Sequence, residues 1–334
     1  MMTQRFVYRL ALFATLLALF VVMLGAYTRL RDAGLGCPDW PGCYGQLTVP
    51  NTSVELQQAQ RLYPAQPVES HKAWIEMVHR YIASTVGFLI LILAARAWCK
   101  PAISGLSRGI TLTLIAVVIF QGVLGMWTVT WRVMPVIVMS HLLGGMAVVS
   151  LLTWLSLRLK GFANHFNKDA VKPYRFWAAV GLIIIVLQIF LGGWTSTNYA
   201  ALICPDFPTC QAGHWLPQVD FNQAFNFLTP IGPDYQGGLL NTAARITIQM
   251  MHRFGALLTL VYIGGLALYL FFKVHVNLIR RLAILIAILL LIQIVLGILN
   301  VIWLLPISIA VLHNGIAALL LLALVALNYS LYAK

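Results

Sequence analysis

Charged side chains are scarce in this sequence, and acidic ones are scarcer still. Only 9% of the 334 residues are charged and nine residues are acidic, whereas 60% are hydrophobic. A soluble domain carries roughly 25% charged residues, so this scarcity excludes soluble, fibrous and disordered proteins. The sequence therefore predicts an all-α polytopic membrane protein.

Long stretches without charge predict eight membrane helices. A helix needs about 20 mostly apolar residues to cross the hydrocarbon core of a bilayer. The predicted spans are residues 10–28, about 71–95, 109–131, 133–157, 176–205, about 246–272, and two within 282–333 that are separated at Pro306. The first stretch is too long for a signal peptide and lacks a small-residue cleavage site, so we expect it to be retained.

The distribution of charge predicts the orientation of these spans. With the N-terminus inside, 14 of the 22 Lys and Arg residues lie in inner segments, and eight of the nine acids lie at or beyond the outer face. Basic residues concentrate in cytoplasmic loops. We therefore expect a bacterial-type inner membrane protein with cytoplasmic termini and two long outer loops, about 30–71 and 199–245. The net charge of +13 is an orientation signal, and we expect no nucleic-acid partner.

The chain is an internal duplication. Three pairs of segments match at nearly constant offsets of 167, 173 and 172 residues: 37–43 (CPDWPGC) with 204–210 (CPDFPTC), 79–80 (HR) with 252–253 (HR), and 121–125 (QGVLG) with 293–297 (QIVLG). We expect two domains, 1–160 and 161–334, each a four-helix bundle of the same orientation. An even number of helices per repeat predicts a pseudo-two-fold axis along the membrane normal.

Four histidines lie within the predicted spans, two in each half at equivalent positions: His79, His141, His252 and His313. Ionisable residues in a membrane are costly and usually functional, although a single one can serve as an interhelical hydrogen-bond donor. Paired imidazoles across a bundle core suit the axial ligation of a haem. Since no C-x-x-C-H motif occurs, we predict one non-covalent bis-histidine haem site in each half.

One carboxylate distinguishes the two halves. Glu76 lies three residues before His79 on the same helix face, and its counterpart is Gln249. A carboxylate beside a haem edge can move protons, whereas the alternative is an ion pair with Arg80 or Lys72. The difference predicts that the first half performs chemistry and the second holds a permanent haem.

Two further groups of residues leave alternatives open. Arg80 and Arg253 directly follow a predicted ligand, and each either pairs with a haem propionate or extends to the membrane surface. Cys37 with Cys43, and Cys204 with Cys210, form two C-x5-C pairs in loops predicted to lie outside, where disulfides form. Structural disulfides, redox-active pairs and a zinc site built from all four cysteines are the alternatives.

Over nearly its whole length the sequence resembles the haem A synthase family. The resemblance rests on the motif 76–80 (EMVHR), on the three other span histidines, and on the segment 34–41 (GLGCPDWP). It implies oxidation of a ring methyl of haem O to the formyl group of haem A. It also implies that His79 and His141 ligate the substrate haem, that His252 and His313 ligate a haem b cofactor, and that Glu76 is catalytic.

The resemblance further implies two successive two-electron oxidations, with haem b as the electron relay. A haem O synthase as donor, a membrane electron donor or acceptor, and terminal oxidase assembly downstream are the expected partners, and a homo-oligomer stays open. The farnesyl tail of the substrate suggests entry from the lipid. The alternative function is a non-catalytic di-haem b-type electron-transfer cytochrome, which needs the same histidines but not the Glu76/Gln249 difference. A transporter, the third interpretation, would bind no haem.

Overall fold

A computed structural model describes residues 3–99, 103–162 and 169–332. The helices are α1 (Gln4–Leu30), α2 (Ser53–Leu62), α3 (Ser70–Cys99), α4 (Arg108–Thr130), α5 (Pro135–Lys160), a 3-10 helix (Asp169–Tyr174), α6 (Arg175–Thr197), α7 (Phe221–Ala224), α8 (Thr242–Lys273), α9 (Asn277–Ile302) and α10 (Ile307–Tyr332). Eight are long and apolar enough to cross a membrane, which confirms the predicted all-α polytopic class. The exceptions are the short loop helices α2 and α7.

The ends of the spans differ from the prediction in an instructive way. The predicted first span is 10–28, whereas α1 covers Gln4–Leu30, because a helix continues past the hydrocarbon while basic side chains reach the surface. The predicted fifth span reaches residue 205, but α6 ends at Thr197 and Tyr199 has a positive φ. The uncharged stretch is therefore longer than the helix, whereas the predicted start of the second outer loop, about residue 199, agrees with the end of α6. Ala200 and Cys204 are fully buried within that loop.

The membrane helices form two closed rings of four. In the first, α1 packs on α3, α3 on α4, α4 on α5, and α5 on α1; in the second, α6, α8, α9 and α10 follow the same order. The rings meet where α10 packs on α1 and α5, and where α5 packs on α6. The counterparts are α1 and α6, α3 and α8, α4 and α9, and α5 and α10. Every helix–helix contact between these eight has its equivalent when each helix is replaced by its counterpart, so the packing agrees with the duplication in the sequence.

At the end of the bundle that carries the long loops, residues contact their own counterparts in the other half. Arg29 Nη2 donates to the Ser196 carbonyl at 2.7 Å, and Tyr199 Oη donates to Asp32 Oδ1 at 2.6 Å. Each pair is 167 residues apart, which is the repeat offset. Contacts of this kind arise beside a two-fold axis. The pseudo-two-fold axis itself stays a prediction, which these contacts favour.

This junction is held by more than hydrogen bonds. The Arg29 guanidinium lies 4.0 Å from the centre of the Tyr199 ring and forms an ion pair with Asp32 at 3.1 Å. Burial raises the pKa of the Tyr199 hydroxyl, so it stays protonated and remains the donor to Asp32. A cation, a carboxylate and a phenol thus connect the two halves at one end.

Deeper in the bundle, glycines allow the two rings to approach each other. A Cβ at Gly193 on α6 would lie 2.6 Å from Met139 Sδ and 2.7 Å from a methyl of Leu142, both on α5. A Cβ at Gly315 on α10 would lie 3.1 Å from Met23 on α1. A side chain at either position would therefore separate the rings.

We expect Gly193→Leu to lower the unfolding free energy by about 1–3 kcal/mol, because overpacking forces the rings apart. Gly265→Leu is the matched control, since nothing lies within 4 Å of a Cβ at Gly265 in the middle of α8. The measurement is thermal unfolding of both variants in the same detergent. Equal midpoints for the two variants would show that Gly193 is not a packing contact.

Candidate functional site

The four span histidines lie on diagonally opposite helices. His79 on α3 faces His141 on α5, with ring centres 6.4 Å apart and planes inclined at 64°. Helices α3 and α5 each pack on α1 and α4 but, among the described residues, not on each other. In the second ring His252 on α8 and His313 on α10 occupy the equivalent diagonal. Each histidine pair therefore lies at the centre of its ring of four helices.

The separation of the His79 and His141 rings fits a shared metal. Two imidazole nitrogens bound to opposite sides of one metal ion, at about 2.0–2.1 Å each, place the ring centres roughly 6 Å apart. Within the described chain, no cluster of three or more His, Cys, Asp or Glu could hold a bare metal ion. A two-histidine site therefore suits an iron whose other ligands come with it, as they do in haem.

Each of these rings lies against a glycine of the neighbouring helix. The distances from a Cβ built on the glycine to the histidine Cε1 are 3.2 Å for Gly25–His79, 3.6 Å for Gly125–His141, 3.1 Å for Gly192–His252 and 3.1 Å for Gly297–His313. Alanine at these glycines would press on the imidazole at three of the four positions. The four glycines therefore seat the rings and fix their position.

Three of the four histidines have a buried ring nitrogen without a protein partner in the described chain, although His313 Nε2 lies 3.2 Å from Gln293 Nε2. The Nδ1 atoms of His79, His141 and His313 are buried without a hydrogen bond within the described chain. By contrast, His252 Nδ1 lies 3.1 Å from Gln188 Nε2. A buried polar atom without a partner is costly, so the imidazoles fit a ligand that the protein alone does not supply.

Glu76 is buried beside His79 and its carboxylate is held on both oxygens. It accepts a hydrogen bond from the Cys37 backbone N–H at 2.9 Å and forms an ion pair with Arg80 at 2.5 Å, and the residue is 5% exposed. Lys72, the other predicted partner, pairs with Glu69 instead, at 2.9 Å. The carboxylate is therefore fixed between the histidine site and the first cysteine loop.

The two arginines anchor the cysteine loops, a role that sequence reasoning missed. Arg80 Nη1 donates to the carbonyls of Asp39 and Gly42, and Arg253 Nη1 donates to those of Asp206 and Thr209. In the first half the second guanidinium nitrogen contacts Glu76, whereas in the second half it donates to the Cys204 carbonyl. Contact of either arginine with a haem propionate stays a prediction.

Both cysteine pairs form disulfides, Cys37–Cys43 and Cys204–Cys210. The predicted disulfides are thus confirmed, and the four-cysteine zinc site is wrong because no thiolate is left to bind zinc. All four cysteines are fully buried. A Cβ at Gly36 would lie 2.6 Å from the Lys72 backbone, so only glycine lets the first loop approach α3 this closely. A structural role and a redox-active role for these disulfides both stay predictions.

Gln188 is the site residue that sequence reasoning did not single out. Its Nε2 lies 3.1 Å from both His252 Nδ1 and the His252 carbonyl. The signal was present, because a glutamine within an uncharged span needs an internal partner. Its counterpart in the first half, Val21, cannot make such a contact.

Comparison with known proteins identifies the family. Residues 8–325 match the COX15-CtaA family, described as cytochrome oxidase assembly protein. The chain belongs to this family. The Heme A synthase of Shewanella oneidensis is 45% identical over 316 residues, covering 95% of this chain and 94% of the relative. The Heme A synthase of Bartonella henselae is 25% identical over 92% of this chain and 87% of the relative.

Membership in the COX15-CtaA family agrees with the site. The resemblance noted in the sequence is confirmed, and the family implies binding of haem. The paired histidines are the only arrangement among the described residues that we find suited to that group. The family membership favours haem A synthesis over the electron-transfer cytochrome and the transporter.

We expect Arg80→Lys to loosen the first cysteine loop, since an ammonium group cannot match the several fixed contacts of the guanidinium. Backbone hydrogen exchange across residues 36–46 should accelerate roughly tenfold or more. Mass spectrometry of exchange in the intact protein measures this. Arg61→Lys, on the exposed helix α2, is the control and should leave the loop unchanged. Unaltered exchange in Arg80→Lys would contradict the anchoring role.

Proposed function

We propose that the two rings divide the work of one enzyme. The domain 1–160 holds the substrate haem between His79 and His141, and the domain 161–334 holds haem b between His252 and His313. As a member of the COX15-CtaA family closely similar to Heme A synthase, the chain is an oxidoreductase that converts haem O to haem A. The observation that carries the division is Glu76, a buried carboxylate beside His79 at a position where the second ring has Gln249.

The conversion oxidises a methyl carbon twice, first to an alcohol and then to an aldehyde hydrate that loses water. A base or a held water is needed beside that carbon. Glu76 lies one helical turn from His79, on the same face of α3. Because Cys37 N–H and Arg80 hold its two oxygens, the carboxylate keeps a fixed position from which to accept a proton or orient water. Gln249, a neutral amide, cannot accept a proton in this way.

The second ring supplies the features of a permanent binding site. Haem b, when bound, supplies one-electron transfer. His252 and His313 would ligate it. Gly192 and Gly297 lie against the imidazoles of these two histidines, and Gln188 contacts His252. A second contact to a ligand histidine orients the ring and strengthens the site. Among the described residues no hydrogen bond holds His79 Nδ1, which suits a ligand to a molecule that must leave as product.

Orientation and partners belong to the same proposal. The chain is a multi-pass membrane protein with eight spans. The bias of Lys and Arg supports cytoplasmic termini in a bacterial-type inner membrane, and the two disulfides support cysteine loops on the outer side. A haem O synthase would deliver the substrate, a membrane electron donor or acceptor would exchange electrons with haem b, and terminal oxidase assembly would take the product. Self-association through the lipid-facing helices stays compatible with this arrangement.

Histidine variants test the division of haems. We expect His252→Ala to lose haem b and His79→Ala to lose bound haem O while it keeps haem b, because each removes an axial ligand from one ring only. Haem extraction and chromatography of the purified proteins measures both. Loss of the same haem in both variants would overturn the division.

A pair of reciprocal variants tests Glu76. Glu76→Gln places in the first half the amide that the second half carries, and we expect it to retain haem b and haem O while formation of the formyl product falls by about 10²-fold or more. Gln249→Glu is the matched control and should keep substantial activity. Normal product in Glu76→Gln would exclude Glu76 as the catalytic carboxylate. Wild-type protein that holds two haem b and converts no added haem O would revive the cytochrome alternative.

A further inference from the structure

A lipid-facing apolar groove lies between α3 and α4 of the first ring. Its volume is about 270 Å³, and its surface is almost entirely apolar. The residues that define this α3–α4 groove include Ser84, Gly87 and Leu91 from α3 and Ile115, Val118 and Ile119 from α4. No step of the mechanism above uses it.

The groove lies on the same two helices as residues of the histidine site, displaced along their axes. Ser84 and Gly87 follow His79 on α3 by five and eight residues, about 8 and 12 Å along the helix axis. On α4, Gly122 lies one turn from Val118 in the direction of Gly125, which seats His141. A Cβ at Gly122 would meet nothing within 4 Å. The open face of α4 therefore extends from the groove toward the site.

The second ring has bulky side chains where the first has small ones. By the repeat offsets of 173 for α3 and 172 for α4, Ser84 corresponds to Leu257, Gly87 to Leu260 and Gly122 to Ile294. The small residues of the second ring at this junction, Gly264 and Ala287, correspond to Leu91 and Ile115 and lie further from its histidines. Small residues at these three positions are thus particular to the first ring.

Helix packing does not account for these small residues. Glycine within a helix costs about 1 kcal/mol relative to alanine, and glycines in membrane helices usually repay this by close contact. Gly122 makes no such contact, and Gly87 has one neighbour, a methyl of Val118 at 3.4 Å from its Cβ position. An occupant other than a neighbouring helix would explain both.

The substrate chemistry supplies an occupant of the right kind. Haem O differs from haem b by a long isoprenoid side chain, which is apolar and flexible. Because lipid is as apolar as the groove, selection here rests on shape and not on transfer from water. A tail attached to a haem would fit beside Gly87 and Gly122, whereas Leu260 and Ile294 would obstruct it in the second ring.

We propose that the α3–α4 groove binds the isoprenoid side chain of haem O and makes the first ring selective for haem O over haem b. This inference rests on the proposed placement of the substrate between His79 and His141. It assigns a specificity role to Ser84, Gly87 and Gly122.

The test fills the groove with residues from the second ring. Gly87→Leu and Gly122→Ile are prepared in nanodiscs with haem b already bound, and haem O and additional haem b are each titrated by absorbance. We expect haem O binding to weaken roughly tenfold or more in both variants, because the added side chains occupy the space of the tail. Binding of the additional haem b, which lacks the tail, should stay within about twofold of wild type. Ala116→Leu is the control, since Ala116 is exposed on α4 outside the groove lining, and it should match wild type.

Two outcomes would overturn the proposal. Unchanged haem O binding in Gly87→Leu and Gly122→Ile would mean that the groove holds only membrane lipid. Equal weakening of haem O and haem b would mean that the substitutions disturb the bundle and not the tail. Failure of the underlying placement is seen separately, as haem O binding that survives His79→Ala.

Discussion

The contact between each histidine and a glycine of the neighbouring helix is the constraint on which both sites depend. An imidazole that coordinates a metal must keep its position to within a fraction of an ångström. In a membrane interior no water is available to hydrogen-bond an imidazole that is displaced from the metal. Gly25, Gly125, Gly192 and Gly297 provide this position by letting a neighbouring helix lie directly against Cε1. The diagonal placement of the ligands then follows from the closed ring of four helices, since only diagonal helices face each other across its centre.

Duplication preserved this scaffold while a few positions diverged. The order of helix packing, the glycine seats, the disulfide loops and the arginines that anchor them occur in both halves. Two of the differences lie beside the histidines, where Glu76 stands for Gln249 and Val21 for Gln188. The difference between Glu76 and Gln249 changes the contacts of the arginine that anchors the loop. Arg80 contacts the Glu76 carboxylate, whereas Arg253 contacts the Cys204 carbonyl.

The candidate site residues that the sequence brings out are those that a membrane makes conspicuous. His79, His141, His252, His313 and Glu76 stand out because a polar residue in an apolar span is costly, and the repeat offsets connect the two halves. The contacts of Arg80 with loop carbonyls and of Cys37 N–H with Glu76 could not be predicted, because they depend on the path of an irregular loop over a helix end. The uncharged stretch 176–205 continues past the end of α6 at Thr197 for a related reason, since burial by tertiary packing allows a loop to lack charge.

The difference between Gln188 and Val21 supports the proposed division between the two haem sites independently of Glu76. His252 has a polar side chain against Nδ1, so its ring is oriented before any haem binds. Within the described chain the Nδ1 of His79 is buried without a hydrogen-bond partner, and Gly25 lies against the ring. A ligand oriented in advance suits a cofactor that remains through many turnovers. A less restrained ligand suits a site whose occupant arrives as substrate and departs as product, and this is the half that also carries the carboxylate.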